Sequence, residues 1–291
     1  MNKFFIITNG FKDKELKITN QLTDYIIKKG ASASRFITSL DEIEKASIDP
    51  KLIDIDTQVI IVLGGDGTLI RAARDLVTLK VPLIGVNMGT LGYLCELNEH
   101  TVFDGVDKIM EGKYEVEERL MLQGVMKTKE DVLVGKAALN DVVIHRVGSL
   151  QMIRMKVHVN GEYLTTYDAD GIIISTPTGS TGYSMSAGGP IVDPKASLML
   201  ITPISPHTLN TKSIVISPDD HITIEIVKRH MENEDAAVVS FDGDNVITLE
   251  AGEVIEISKA PKTAEILKIG KQSFLQILQK KMQVYDELNI T

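Results

Sequence analysis

The 291-residue chain carries 31 Lys and Arg against 40 Asp and Glu, a formal net charge of −9; that excludes a broad basic face for nucleic acid or anionic lipid, so an anionic ligand must be held by local groups. With 43% hydrophobic and 24% charged residues the composition is globular and long enough to bury two cores, and no run is long and apolar enough to span a bilayer. The single cysteine, Cys95, cannot close an intrachain disulfide, and no His/Cys set at ligand spacing points to a structural metal.

The N-terminal MNKFFIITNGFKDKE has one lysine before a short apolar run, which reads as a first strand rather than a signal peptide and implies a cytoplasmic protein. Up to residue 118, apolar runs alternate with helical patterns: FFIIT, LKITNQLTDYIIKKG, QVIIVLG, TLIRAARDLVTL, PLIGVN. This alternation predicts an α/β domain over 1–118 with a mostly parallel sheet. Its first helix is expected over 15–29, with Leu16, Leu22 and Ile26 inward and Gly30 as the stop.

VIIVLGGDGTLIRAARD, residues 59–75, sets Gly64-Gly65-Asp66-Gly67-Thr68 between a β-branched run and a helical pattern. That is the carboxyl end of a strand, where open α/β sheets bind ligands. The loop fits neither the lysine-containing phosphate loop nor the three-glycine dinucleotide fingerprint. Gly64, Gly65 and Thr68 can offer N–H groups to a phosphate, but Asp66 would repel one. A carboxylate there can accept a proton from a hydroxyl nucleophile, hold the metal of a nucleoside triphosphate, or simply turn the chain. Arg71 and Arg74 on the following helix are either phosphate cations or ordinary surface arginines. A second glycine loop, Gly85 to Tyr93, would form the opposite wall of one crevice, with Tyr93 either stacking on a base or joining the core.

After Glu118 the apolar residues recur with period two in VLVGKAALNDVVIHR, MIRMKVHVNGEYL, GIIIST, SIVISPDDHITIEIV and NVITLEAGEVIEISKA. A β-rich, sandwich-like domain over 119–265 follows, with Asn160-Gly161 as a hairpin turn. Asn140-Asp141 is an ordinary turn or a donor and acceptor pair able to read a ribose or adenine edge. Lys228 to Asp235 reads as a solvated mixed-charge loop. The segment from Asp168 to Pro190 is dense in hydroxyls and glycines, costly to order unless it meets a polar ligand or winds tightly on itself. Residues 266–291 return to helical spacing, with Phe274, Leu275, Leu278 and Met282 on one side, and are expected to pack back on the first domain.

GGDGT at 64–68, GVNMGTLGYL at 85–94, ND at 140–141, DG at 170–171, TPTGSTGYSMSAGGP at 176–190 and PISPH at 203–207 together resemble the NAD kinase family, which phosphorylates the 2′-hydroxyl of the adenosine ribose of NAD. GGDGT alone also occurs in lipid kinases and phosphofructokinase relatives; the long Thr/Gly/Ser run is the specific part. The resemblance implies the same two-part fold with a returning tail. It makes Asp66 the base or orienting group for the ribose hydroxyl, sets Gly67 close to the substrate, and turns Arg71 toward phosphates. Asn140 and Asp141 would contact adenosine, and Thr181, Gly182, Tyr183, Ser184, Met185 and Ser186 would line the dinucleotide site. Asp170 and the segment around Ser205 would help complete a site between subunits, implying a homodimer or homotetramer. The implied donor is ATP with Mg²⁺ or another divalent cation, or else another nucleoside triphosphate or polyphosphate, with neither nucleic acid nor membrane as partner. The sequence departs from the family at Asp141 (more often Glu), Gly182 (often Ala), Asp168 (often basic) and FDGD at 241–244 (usually DGQ). The rival readings are a lipid or small-alcohol kinase sharing the GGDGT loop, and a dinucleotide sensor without catalysis.

Overall fold

KFFIITN forms the first strand, β1 (Lys3–Asn9), in a computed structural model that describes residues 1–38, 47–89, 92–127, 133–148, 151–207, 212–228, 236–270 and 272–288. Thr90 and Leu91 of the second glycine loop, and residues 229–235 of the mixed-charge loop, lie outside the described residues. The chain divides into two units, residues 1–118 with 264–291, and residues 119–263.

In the first unit β1 is followed by α1 (Lys17–Lys28) and β2 (Ser32–Thr38). The helix begins later than its periodicity predicts because Glu15 and Leu16 adopt φ of 58° and 55°. The start is fixed by Asp13, whose carboxylate accepts the N–H groups of Ile18 (3.0 Å) and Thr19 (2.7 Å) and the Thr19 hydroxyl, capping orphan donors of the first turn. Gly30, at φ +84°, ends it as expected.

Next come β3 (Val59–Gly64), α2 (Asp66–Leu76), β4 (Leu83–Asn87), β5 (Leu97–Asn98), α3 (Val102–Met110) and β6 (Glu115–Arg119). Val59, Ile61 and Leu63 share a core with Leu22 and Ile26 of α1 and Val102, Val106 and Ile109 of α3. Ile60 and Val62 point the other way along the pleat, and α2 packs on β3 and β4 with Leu69, Ala72, Ala73 and Leu76 buried. Covering both faces is why β3 is continuously apolar.

The second unit holds β7 (Leu122–Lys127), β8 (Leu133–Ala138), β9 (Asp141–Arg146), β10 (Ile153–Val159), β11 (Glu162–Ala169), β12 (Gly171–Ser175), the short α4 (Tyr183–Ser186), β13 (Met199–Ile204), β14 (Ile214–Ile216), β15 (Ile222–Val227), β16 (Ala236–Phe241), β17 (Asp244–Glu250) and β18 (Val254–Lys259). They form two six-stranded antiparallel sheets, ordered β11-β10-β15-β18-β7-β8 and β14-β13-β12-β9-β16-β17. Their inner faces share one core, including Met126, Met155, Ile224 and Ile257 from the first and Val142, Ile144, Ile172 and Phe241 from the second; this is a sandwich. The β10–β11 hairpin turns through Asn160 and Gly161 at φ of 53° and 80°, as the Asn-Gly pair predicts. On the outer face of the second sheet, Val143, Ile173 and Ile204 pack with Ala187, so the hydroxyl-rich segment lies against that face.

The chain then returns to the first unit as β19 (Ala264–Lys268) and α5 (Phe274–Leu288). β19 pairs in parallel with β4, giving the order β2-β1-β3-β4-β19-β6 with β5 alongside β4. The buried carboxylate of Glu96 accepts the Lys268 ammonium (2.9 Å) and the Gly270 N–H (2.6 Å), anchoring the return. α5 rolls away from the expected stripe: Ile277 is buried and Phe274, Leu278 and Lys281 partly so, whereas Leu275 and Met282 are 68% and 58% exposed. Residues 274, 277, 278 and 281 form one i, i+3, i+4, i+7 stripe, and Leu275 with Met282 falls outside it. No helix among the described residues is long and apolar enough to cross a membrane.

Candidate active site

In the first unit, GGDGT sits where the pattern predicts, with β3 ending at Gly64 and α2 starting at Asp66. The Asp66 carboxylate reaches across to the second glycine loop. Oδ2 accepts the Tyr93 N–H (2.6 Å), and Oδ1 accepts those of Leu94 (3.2 Å) and Cys95 (3.3 Å). Gly92 makes this possible, because a Cβ there would lie 2.0 Å from Oδ1. The two glycine loops are therefore joined through Asp66. Burial, followed by the charge of Asp66, pushes the Cys95 thiol well above its ordinary range, leaving it neutral.

Each glycine of the loop has its own reason. A Cβ on Gly64 would lie 2.4 Å from the Thr68 hydroxyl, and one on Gly65 2.6 Å from Lys12 Nζ. Gly67 has nothing within 4 Å and is exposed. The protein's own packing does not demand glycine at 67, and glycine in a helix costs about 1 kcal/mol against alanine; the gain is a bare surface. Arg71 is partly buried on α2 and already engaged within the protein. Arg74 turns inward, buried, with Nε 3.1 Å from Asp75 Oδ1, so of the two arginines it is the framework one. Tyr93 carries the Lys281 ammonium over its ring at 4.2 Å, with Phe274 beside it at 6.4 Å between centroids.

The second unit gathers a different set. Leu139 and Asn140 form the bend before β9 and Asp141 is its first residue, and the strand-and-turn segment 175–182 folds on them. Thr176 N–H donates to Asn140 O (2.9 Å), and a Cβ on Gly179 would lie 2.1 Å from that same oxygen. Beside Gly182, a Cβ would be 3.6 Å from Asn140 Nδ2 and 3.8 Å from Asp141 Oδ2. Among the described residues, the buried Asn140 Oδ1 and Thr178 Oγ1 have no hydrogen-bond partner. Such atoms are costly unless a ligand meets them.

Much of the hydroxyl-rich run serves itself. Thr176 Oγ1 donates to Leu139 O (2.6 Å), Ser180 Oγ donates to Pro177 O (2.7 Å) and accepts the Val192 N–H (3.0 Å), and the fully buried Ser184 bonds Thr202 (3.2 Å). Ser184 thus supports the segment from behind. Tyr183 and Ser186 are exposed, and Thr181, Gly182 and Met185 half-buried. Asp170 accepts Arg146 Nε (2.6 Å), and its backbone lies beside the PISPH segment, its N–H donating to Ile204 O (3.0 Å). Ser205, next in the chain, is exposed with φ of 46°. At the departure Asp168, the carboxylate is held in a bidentate pair with Arg154 across β10 and β11 (3.0 and 2.8 Å).

Asp242 is the residue that the motifs do not reveal. In FDGD it is Asp242, at φ 54° beside Gly243 at φ 79°, that turns back, its carboxylate accepting the N–H groups of Leu139 (2.8 Å), Asn140 (2.7 Å) and Asp141 (3.2 Å). Burial first, and then the Asp242 charge, push the Asp141 carboxyl up to about 7. The folded protein therefore keeps this proton to higher pH than the unfolded chain. Stability from this group is fully present below the unfolded value near 4 and is lost as pH rises through about 7. Asp141→Asn is expected to gain about 2–3 kcal/mol relative to the parent between pH 5 and pH 8 in denaturant unfolding; an equal effect at both pH values would contradict the assignment.

The chain matches the family model of the ATP-NAD kinase N-terminal domain over residues 19–114 and that of the ATP-NAD kinase C-terminal domain over 139–269. It is 50% identical to the NAD kinase of Agathobacter rectalis over 285 residues, covering 98% of this chain and 100% of that one. Among solved structures it is similar to yeast NADH kinase complexed with NADH, with a TM-score of 0.78 and 21% identity over 97% of this chain and 87% of that one. It is also similar to an NAD kinase from Archaeoglobus fulgidus in complex with ATP, with a TM-score of 0.74 and 24% identity over 94% of this chain and 98% of that one. With both domains matched and half of its residues shared with a relative along its whole length, the chain belongs to the NAD kinase family.

Proposed function

We propose that this protein transfers the terminal phosphoryl group of ATP to the 2′-hydroxyl of the adenosine ribose of NAD, forming NADP. Family membership along the whole chain carries this reading. Asp66 serves the hydroxyl. Among the described residues Oδ1 accepts two backbone N–H groups and Oδ2 one, so a carboxylate fixed in place keeps acceptor capacity for a ribose hydroxyl. As the phosphoryl group is transferred, that oxygen can take or orient the hydroxyl proton. The bare surface at Gly67 lets the reacting groups come close to the helix backbone, where N–H groups without intrahelical acceptors favour negative charge.

Asn140 Oδ1 suits the donor offered by an adenine amino group or a ribose hydroxyl. Asp141, holding its proton to near neutral pH, can donate as well as accept. Thr181, Tyr183 and Ser186 complete the dinucleotide contacts, with Arg71 toward phosphate. Mg²⁺ or another divalent cation would enter with the triphosphate and neutralise its charge. Assembly as a homodimer or homotetramer through the Asp170 and Ser205 segments, and a cytoplasmic setting, belong to the same reading.

Purified protein incubated with ATP, Mg²⁺ and NAD is expected to form NADP, measured with an NADP-specific dehydrogenase. No NADP with ATP, other nucleoside triphosphates or polyphosphate as donor would sink the reading, and NAD-independent phosphorylation of a lipid would favour the lipid-kinase alternative.

A further inference from the structure

We propose that Lys12 is the cation that holds the donor's phosphates over the GGDGT loop, a role that rests on the NAD kinase reading above. β1 and β3 are parallel neighbours, with Thr8 opposite Leu63. The turn after β1 therefore emerges at the same sheet edge as the loop after β3.

That turn is built rigidly. Asn9 O accepts the N–H groups of Lys12 (3.0 Å) and Asp13 (3.2 Å), Asn9 Oδ1 accepts that of Phe11 (3.1 Å), and Asn9 Nδ2 donates to the Thr68 hydroxyl (3.3 Å). Asp13 is fixed in turn as the cap of α1. The base of the Lys12 side chain is thus tied to the GGDGT loop on one side and to a helix on the other.

The position of the ammonium follows from two glycines. A Cβ on Gly65 would lie 2.6 Å from Lys12 Nζ, and one on Gly89 would lie 4.0 Å from it. Nζ therefore sits over the bare backbone of Gly65, one residue before the first N–H groups of α2, and within reach of both glycine loops. Gly65 has φ −148° and ψ −174°, extended values open to any residue, so its backbone does not require glycine. What the missing side chain leaves room for is the ammonium.

Lys12 is exposed and makes no ion pair among the described residues. Serving as the counter-ion of Asp66 is the plain alternative, but among the described residues the two side chains form no ion pair. An ammonium poised over unpaired helix N–H groups at a glycine loop is the chemistry that binds a polyphosphate chain. It also answers the negative charge of Asp66 at a loop that must receive an anion.

Steady-state kinetics of the full chain test this. Lys12→Ala is expected to raise KM for ATP about 10- to 100-fold and leave KM for NAD within about twofold, with Lys12→Arg recovering most of the loss. Gly65→Ala should also raise KM for ATP by displacing the ammonium, with little further effect once Lys12 is gone. KM for ATP within about twofold of the parent, or KM for ATP and NAD rising together, would overturn the assignment. Calorimetric titration of ATP into the parent and Lys12→Ala reads the same site without turnover. A Kd weakened about tenfold or more supports Lys12 as the donor cation, and an unchanged Kd overturns it. Absence of NADP formation by the parent would instead count against the underlying reading alone.

Discussion

Asp66→Asn is expected to lower the rate of NADP formation by about two to four orders of magnitude while NAD affinity changes only a few-fold. The amide keeps the shape of the carboxylate and one acceptor oxygen, but it cannot take a proton. Its NH₂ must also face either the Tyr93 N–H or those of Leu94 and Cys95, setting donor against donor. The second effect costs about 1–3 kcal/mol of stability and loosens the join between the two glycine loops. Turnover, NAD titration and denaturant unfolding measured on the same preparation separate the two effects. Near-normal turnover in a variant that binds NAD would exclude Asp66 as the base.

Asp242→Ala is the second large effect. Removing this carboxylate strands three backbone N–H groups, those of Leu139, Asn140 and Asp141, at the turn that opens β9. The expected cost is about 3–5 kcal/mol in denaturant unfolding, reduced somewhat because Asp141 loses a like charge beside it. The same turn aims Asn140, so KM for NAD should rise about tenfold or more in conditions where the variant remains folded. A loss below about 1 kcal/mol with unchanged KM for NAD would show that Asp242 is an ordinary hairpin residue.

Legibility in the sequence followed the range of the forces involved. Gly64 to Thr68 could be placed at a strand end because β-branched runs and helical periodicity are local, and the sandwich was legible in period-two runs such as IRMKVHV, whose Ile153, Met155 and Val157 are all buried. Asn160-Gly161 needed only its own backbone. Asp242 did not show itself because D-G in a hairpin looks like any turn, and the groups it caps are more than 100 residues away. Lys12 was hidden for a similar reason, since a lysine in a polar turn gains meaning only once β1 lies beside β3. The hydroxyls of 176–190 were conspicuous, but sequence could not sort those that brace the segment, such as Ser180 and Ser184, from the exposed Ser186. In α5 the apolar residues allow two stripes, and the contact with Tyr93 selects the one bearing Phe274 and Lys281.

β19 lies between β4 and β6 in the sheet of the first unit, although some 145 residues of the other unit are translated between β6 and β19. On the ribosome, the unit that begins first is thus the last that can be completed. Until Ala264–Lys268 has emerged, β6 and the part of the β4 edge that the short β5 does not cover lack their partner, the kind of surface on which nascent chains misassociate. The second unit has every strand of both its sheets in continuous sequence and can fold while it waits. A nascent chain that has emerged through β18 but not yet through residue 264 would therefore carry a finished sandwich and an unfinished sheet, so the GGDGT loop acquires its complete supporting sheet only near the end of synthesis.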